Sequence, residues 1–375
     1  MAEDAAPEAD RVGDLPHPRE AATIFGQAAA ENDFLAAWAS GRLHHGWLLT
    51  GPLGVGKATL AYRIARKRLS EEDGDGLFGA PEPPTSLDLD TEHPVARRVM
   101  AGAEPRLHVV RRAVNEKTGK LNTQIRVDET RALKDFFQMS AADGGWRVAI
   151  VDPVDEMNPS AANALLKLLE EPPEKSLILL ISHSPGKLLP TIRSRCRVLK
   201  LAPLAPEDLA PALRSAGVET DVPTEALALL SGGSAGEAAR LVALDGAALY
   251  ARLCRLFAAS PGAERREMIA MADACVGRDA EPTYALTLRL ADFLLARLAR
   301  AAAAGAPQTL AAEPEGAVIA RLAPDGSAAR KWADLSAEIQ AKTARARAVN
   351  LDPAQVVLDT LISIDAAARQ VRARA

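Results

Sequence analysis

The run Gly51-Pro52-Leu53-Gly54-Val55-Gly56-Lys57 is a G-x-x-x-x-G-K loop, and its neighbours restrict the fold severely. Residues 46–50 (GWLLT) before it read as a short buried strand, and residues 57–69 after it as a helix. A glycine loop between strand and helix turns backbone N–H groups inward around phosphate oxygens. The helix N-terminus adds partial positive charge. Lys57 can reach the outer phosphates. The candidate nucleotide-binding residues are therefore Gly51, Gly54, Gly56, Lys57 and Thr59, joined by Asp152 at the end of a later apolar strand.

Two positions depart from what hydrolysis needs. Position 58 is Ala, where a Ser or Thr hydroxyl would hold Mg²⁺. Thr59 is one residue on, about 100° round the helix, and is poorly aimed to substitute. Pro153 follows Asp152 and has no side chain to position an attacking water. Asp155 and Glu156 lie close by, and solvated surface is the simpler reading of both. A nucleotide could be held here but should be hydrolysed poorly.

The rest of the chain fits an α/β unit followed by helices. Residues 28–39 have helical spacing, with Phe34, Leu35 and Trp38 on one face. Residues 107–111, 124–127, 147–152 and 177–182 read as strands. Asp128 reads as the N-cap of a helix to about residue 140. Asn158-Pro159 opens another helix, with Ala161, Ala162, Leu165, Leu166 and Leu169 on its apolar side, and Pro172-Pro173 ends it. Alternating strands and helices predict a parallel sheet covered on both faces. After residue 202 only helical patterns remain. The expected divisions are a disordered acidic tail over 1–20, an α/β P-loop domain over 21–202, a small helical lid over 203–245 and an all-α collar over 246–375, with a loop near 301–307. Residues 70–92 are rich in Gly, Pro and acid and read as an insertion loop.

Composition excludes several classes. Forty-five Lys and Arg against 49 Asp and Glu leave a net charge of −4, so no global basic field gathers nucleic acid. The three cysteines, Cys196, Cys254 and Cys275, include no C-x-x-C and give neither a zinc cluster nor a disulfide framework. No apolar run reaches 18 residues, so no membrane span is expected. His44 and His45 are expected to pack or cap. Arg63, Arg66, Lys67 and Arg68 could meet DNA phosphates or form a solvated helix face. Arg193, Arg197 and Lys200 read as ordinary surface charge.

Four stretches in order resemble the bacterial clamp-loader branch of the AAA+ proteins. They are Ile24-Phe25-Gly26-Gln27, the run from Arg42 to Pro52, the run from Asn163 to Pro173 (NALLKLLEEPP), and Pro190-Thr191-Ile192-Arg193-Ser194-Arg195-Cys196, which is similar to the family's SRC motif. The resemblance covers about residues 20–245. The departures matter as much as the matches. Ala58 and Pro153 replace residues that the gamma/tau motor subunits carry. Gly236 stands where they place a lid arginine. The insertion over 70–106 also lacks the four cysteines of the zinc module borne by the motors and by many stator subunits, which bears on a local knob only. An intact SRC motif beside these losses resembles the stator, or delta-prime, branch of the family.

That resemblance implies a protein with little catalysis of its own, working in a DNA polymerase holoenzyme in the cytoplasm, at the nucleoid. Arg195 would act in trans on a neighbour's ATP, with Ser194 and Cys196 setting its loop. A planar, permanently charged guanidinium suits that task. Implied partners are the gamma/tau motors, the delta subunit, the sliding clamp indirectly and primed DNA, with no membrane. Weak ATP or ADP binding and no zinc are expected. The alternatives are a hydrolysing gamma/tau-type motor, an unrelated P-loop transferase and a DNA-binding protein with a relic loop. Without the resemblance, Arg195 would simply pair with a local carboxylate.

Overall fold

The computed structural model describes residues 8–11, 13, 15–71, 82–138 and 145–373. The described chain divides into two compact units. The first runs to Gly217 and includes Ser234–Gly236; the second comprises Val218–Gly233 and Glu237–Ala375.

The first unit holds one parallel sheet of five strands: β1 (Gly46–Thr50), β2 (Leu107–Val110), β3 (Arg147–Val151), β4 (Ser176–Ser182) and β5 (Arg197–Lys200). Their order is β2-β3-β4-β1-β5, every pairing parallel. Every residue of β1 and β4 is buried, which requires cover on both faces and explains why those strands read as unbroken apolar runs. The cover comes from α1 (Ala28–Ala39), α2 (Lys57–Ser70), α3 (Pro94–Met100), α4 (Val127–Gln138), α5 (Pro159–Glu170), the one-turn α6 (Pro190–Arg193) and α7 (Pro206–Ser215). This is the expected α/β arrangement, a parallel sheet with helices on both faces. Because β3, β4 and β1 are neighbours, Asp152, His183 and the glycine loop meet at the carboxyl edge of the sheet, where such sheets bind ligands.

Local rules account for the element ends. The Asn158 carboxamide accepts the Ala161 N–H at 2.8 Å and caps α5, with Pro159 at the first helical position. The segment 124–127 is not a strand. Ile125 makes only an isolated bridge to Met157, and the chain turns straight into α4 at Val127. Asp128 is thus inside the first turn and does not cap it. Glu129 reaches back to the Arg126 N–H at 2.9 Å instead.

The described residues of the second unit form helices only: α8 (Thr224–Ser231), most of α9 (Ala235–Ala243), α10 (Gly246–Ala258), α11 (Arg265–Asp273), α12 (Glu281–Ala304), α13 (Glu315–Leu322), α14 (Gly326–Ala348) and α15 (Pro353–Arg372). Helix α12 runs to Ala304, so the loop expected near 301–307 begins later, at Gly305. A buried polar cluster fixes that loop. Glu315, wholly buried, accepts from Arg297 at 2.6 Å, Tyr250 at 3.0 Å and the Ala311 N–H at 2.6 Å, while Arg297 also donates to the Thr309 carbonyl. Each buried charge there has a partner, as burial demands.

The segment read as a disordered tail starts outside the described residues, at 1–7. The Asp10 side chain is completely buried, paired with Arg111, with His17 at 3.1 Å and with the Tyr62 hydroxyl at 3.4 Å. The basic run of α2 also differs from both sequence readings. Arg63, Arg66 and Arg68 are at most 5% exposed. Arg63 binds Glu31, Asp88 and the Ala22 carbonyl; Arg66 binds the carbonyls of Arg19 and Ala21. Arg68 lies over the rings of Trp38 and Trp146. None is available to a phosphate.

Candidate nucleotide loop and arginine loop

The glycine loop folds back on itself. Lys57 is 3% exposed, and its ammonium donates to the carbonyls of Gly51 and Pro52, at 2.7 Å to Gly51. Gly54 has φ +76°, and its carbonyl accepts the Gly236 N–H at 3.2 Å. A Cβ on Gly54 would lie 2.3 Å from the Ser234 hydroxyl. The stretch Ser234-Ala235-Gly236 therefore rests directly on the loop, and Gly236 presents backbone where the motor pattern calls for an arginine.

The charges beside the loop are unusual. Burial lowers the Lys57 pKa to about 8, against the pull of Asp152 and Asp155. Burial raises the Asp152 carboxyl to about 7, with Asp10 adding to the rise and Lys57 opposing it. Burial lowers His183 to about 4, with Lys57 adding to the fall. Burial also pushes Asp10 up, but the His17 hydrogen bond and the charges of His17 and Arg111 outweigh it and hold Asp10 at about 2.

These residues do not fit a catalytic magnesium ion. Ala58 offers no side-chain oxygen. Two of the three Lys57 N–H donors are directed at carbonyls of its own loop, so an anion there would compete with them. Among the described residues no group of three or more His, Cys, Asp or Glu side chains is placed to hold a metal.

Asp155 and Glu156 are not solvated surface. Asp155 accepts from the Ser182 hydroxyl at 2.8 Å and from the backbone N–H groups of His183 and Ser184, and so holds the end of β4. Glu156 pairs with Arg112 at 2.6 Å. His44 and His45 bond backbone groups, as expected of packing or capping residues.

The second candidate lies between α6 and β5. Ser194 ends α6, its hydroxyl donating to the Thr191 carbonyl at 3.2 Å. Cys196 packs against the sheet core, and burial raises its thiol to about 12, so it is inert. Gly46 lets this loop come close: a Cβ there would lie 3.1 Å from Leu169 and 3.3 Å from the Arg195 carbonyl. Arg195 itself is 36% exposed. Its guanidinium pairs with Glu170 at 2.9 Å and donates to the Thr191 carbonyl at 3.1 Å. An exposed pair of this kind contributes about 0–1 kcal/mol. Beside it Leu189 is 40% and Val198 55% exposed.

The structure thus gathers Gly51, Gly54, Gly56, Lys57 and Asp152 at the carboxyl edge of the sheet and places Ser194, Arg195 and Cys196 in a separate exposed loop. Sequence reasoning missed Asp10, His17, Tyr62 and Arg111, which cluster near Asp152, and His183. His183 had a detectable signal, as the residue just after the strand neighbouring β1. Asp10 had none, because an acidic residue near a chain end looks like any solvated charge.

A family model described as "DNA polymerase III, delta subunit" matches residues 26–205. Over that stretch, a little under half of the chain, it is similar to that family. It is 39% identical over 200 residues to the DNA polymerase III subunit delta' of Pseudomonas aeruginosa, covering 52% of this chain and 55% of that one. It is 30% identical over 227 residues to the delta' subunit of Escherichia coli, covering 60% and 63%. To DNA polymerase III subunit tau of Escherichia coli it is 31% identical over 192 residues, covering 51% and 27%. The chain spans little more than half the length of the curated delta' relatives it matches.

Proposed function

We propose that this chain is a delta-prime-type stator of a DNA polymerase III clamp loader, working with gamma/tau motors, a delta subunit, the sliding clamp and primed DNA. One observation carries the proposal. Within one fold, the lysine of the nucleotide loop is buried and bonded to carbonyls of its own loop, while the arginine of the SRC-like motif is a third exposed and weakly held. The family match and the delta' relatives support the same reading.

In this reading Arg195 leaves Glu170 and crosses an interface to the phosphates at a neighbouring motor site, where its fork stabilises transition-state charge. Leu189 and Val198 supply apolar contact around it. Ser194 and Cys196 hold the loop. The chain's own site binds ATP or ADP weakly and does not turn it over. The segments 203–245 and 246–375 serve as lid and collar, the collar being the main assembly surface. No zinc is needed. The setting is the cytoplasm, at the nucleoid.

The 31% identity to a tau subunit favours a second reading, a hydrolysing motor. Ala58, Pro153 and Gly236 weigh against it. Purified chain should show negligible ATP hydrolysis, and the chain mixed with motor and delta subunits should enter the assembly once. Turnover by the pure chain at a motor's rate would sink the stator reading and support the second.

A further inference from the structure

The second unit contains a groove of about 800 Å³, lined by parts of both segments that the stator reading names lid and collar, and that reading gives the groove no occupant. Its floor is apolar and made of small side chains, Ala247, Ala248 and Ala251 of α10, with Leu310 standing 39% exposed on one wall. Five carboxylates ring it: Glu219, Asp221, Glu225, Asp245 and Glu313, all exposed. Among the described residues none of the five is in an ion pair. Elsewhere acidic side chains commonly are, as with Glu237 and Arg289 or Glu267 and Arg252. Arg255 is the one cation that lines the groove. Glu225, Asp245 and Glu313 stand at or beside the starts of α8, α10 and α13, where they offset partial positive charge. Glu219 and Asp221 have no such role.

Hydrogen bonds hold both walls. Residues 309–311 are fixed by Arg297 and Glu315 as described above. The Thr220 hydroxyl accepts the Val222 N–H at 3.2 Å and Pro223 leads into α8, which holds the opposite wall. A preformed groove loses little entropy when it is filled. Its size suits a few side chains rather than a whole domain.

We propose that this groove docks a basic amphipathic helix of another protein. The apolar face of the helix would lie on the alanine floor against Leu310, and its Lys or Arg side chains would meet the five carboxylates. The apolar floor asks for an apolar body, and the unpaired acidic rim asks for cationic edges; a nucleic acid would be repelled. Helix-in-groove recognition combines these features.

The test uses the full chain and a fluorescein-labelled synthetic Leu/Lys amphipathic helix of about 18 residues, five turns long, followed by anisotropy. The expected result is micromolar binding that weakens as salt rises from about 50 to 300 mM. The pair Glu219→Lys with Asp221→Lys should weaken it by about tenfold or more. Ala251→Trp, which fills the floor without changing charge, should weaken it by about fivefold or more while helicity by circular dichroism is kept. The pair Glu82→Lys with Glu116→Lys alters net charge equally in the other unit and should leave binding within about twofold. Equal loss with that remote pair, or equally tight binding of a Leu/Glu helix, would overturn the proposal. So would a self-association in sedimentation that the groove variants abolish, because the groove would then be an interface between copies of this chain.

Discussion

The glycine loop and the arginine loop lie in the same unit and are satisfied in opposite ways. Lys57 is buried, and its partners are carbonyls of its own loop. Arg195 is a third exposed, and its partner is a half-exposed glutamate. An incoming phosphate at the first loop must displace contacts made away from water, where replacements are scarce. A partner approaching the second displaces a pair that water would replace at little cost. The difference teaches that a nucleotide motif and a functional nucleotide site are separable. The glycines preserve the bend of the loop, while the side chains around it have turned to holding the fold.

The largest effect should come from Arg195. In a reconstituted complex where only the adjoining motor site can hydrolyse, Arg195→Ala should cut turnover by ~10²-fold or more, and Arg195→Lys should restore little of it. Thermal unfolding of the free chain should hardly move. Unchanged turnover would make the two loops equally structural and break the contrast.

Gly54→Ala should destabilise the first unit by about 2 kcal/mol, measured by denaturant unfolding. The new Cβ meets the Ser234 hydroxyl at a φ that favours glycine. A neutral result would mean that the Ser234–Gly236 contact yields easily.

Asp152→Asn sharpens the comparison through pH. The carboxyl titrates near 7 in the fold and near 3.8 in the unfolded chain. Its contribution to stability is therefore fully present below pH 4 and is lost as pH rises through 7. The carboxamide should make the protein more stable than the parent at pH 8, by about 1–3 kcal/mol, with the gap closing toward pH 4. A gap that widened as pH fell would show that Asp152 is charged in the fold.

The smallest effect belongs to Glu170→Gln. Freeing Arg195 from its surface pair should change stability by less than about 0.5 kcal/mol and leave turnover of the complex unchanged or slightly higher. A loss near that of Arg195→Ala would show that the pair is what aims the arginine.

Much of the site was legible where chemistry is local. The loop residues 51–57, the missing hydroxyl at 58, the proline at 153 and the capping of α5 by Asn158 all depend on near neighbours in the chain. The strands β1, β3 and β4 were legible because burial on both faces leaves unbroken apolar runs. What escaped depends on distant segments. Arg63 and Arg66 have the spacing of a solvated helix face, and nothing nearby says that residues 19–22 will lie over them. Asp155 is satisfied by the end of β4, 27 residues on. The Gly236 contact on Gly54 joins positions far apart in sequence. Segment 124–127 had the composition of a strand, but Ile125 bonds instead to Glu156 and Asn158 in the loop after β3.

The seating of the N-terminal segment also has a consequence in time. The carbonyls of Ala22 and Arg19 wait for Arg63 and Arg66, 41 and 47 residues later. Glu8 and Asp10 wait for Arg111, more than 100 residues later. At a synthesis rate of about 5–20 residues per second, that last delay is on the order of ten seconds. Segment 8–22 thus leaves the ribosome well before the residues that hold it. During that interval it is open to proteases, and any other segment that settled on α2 would compete for its place before the sheet beneath is complete.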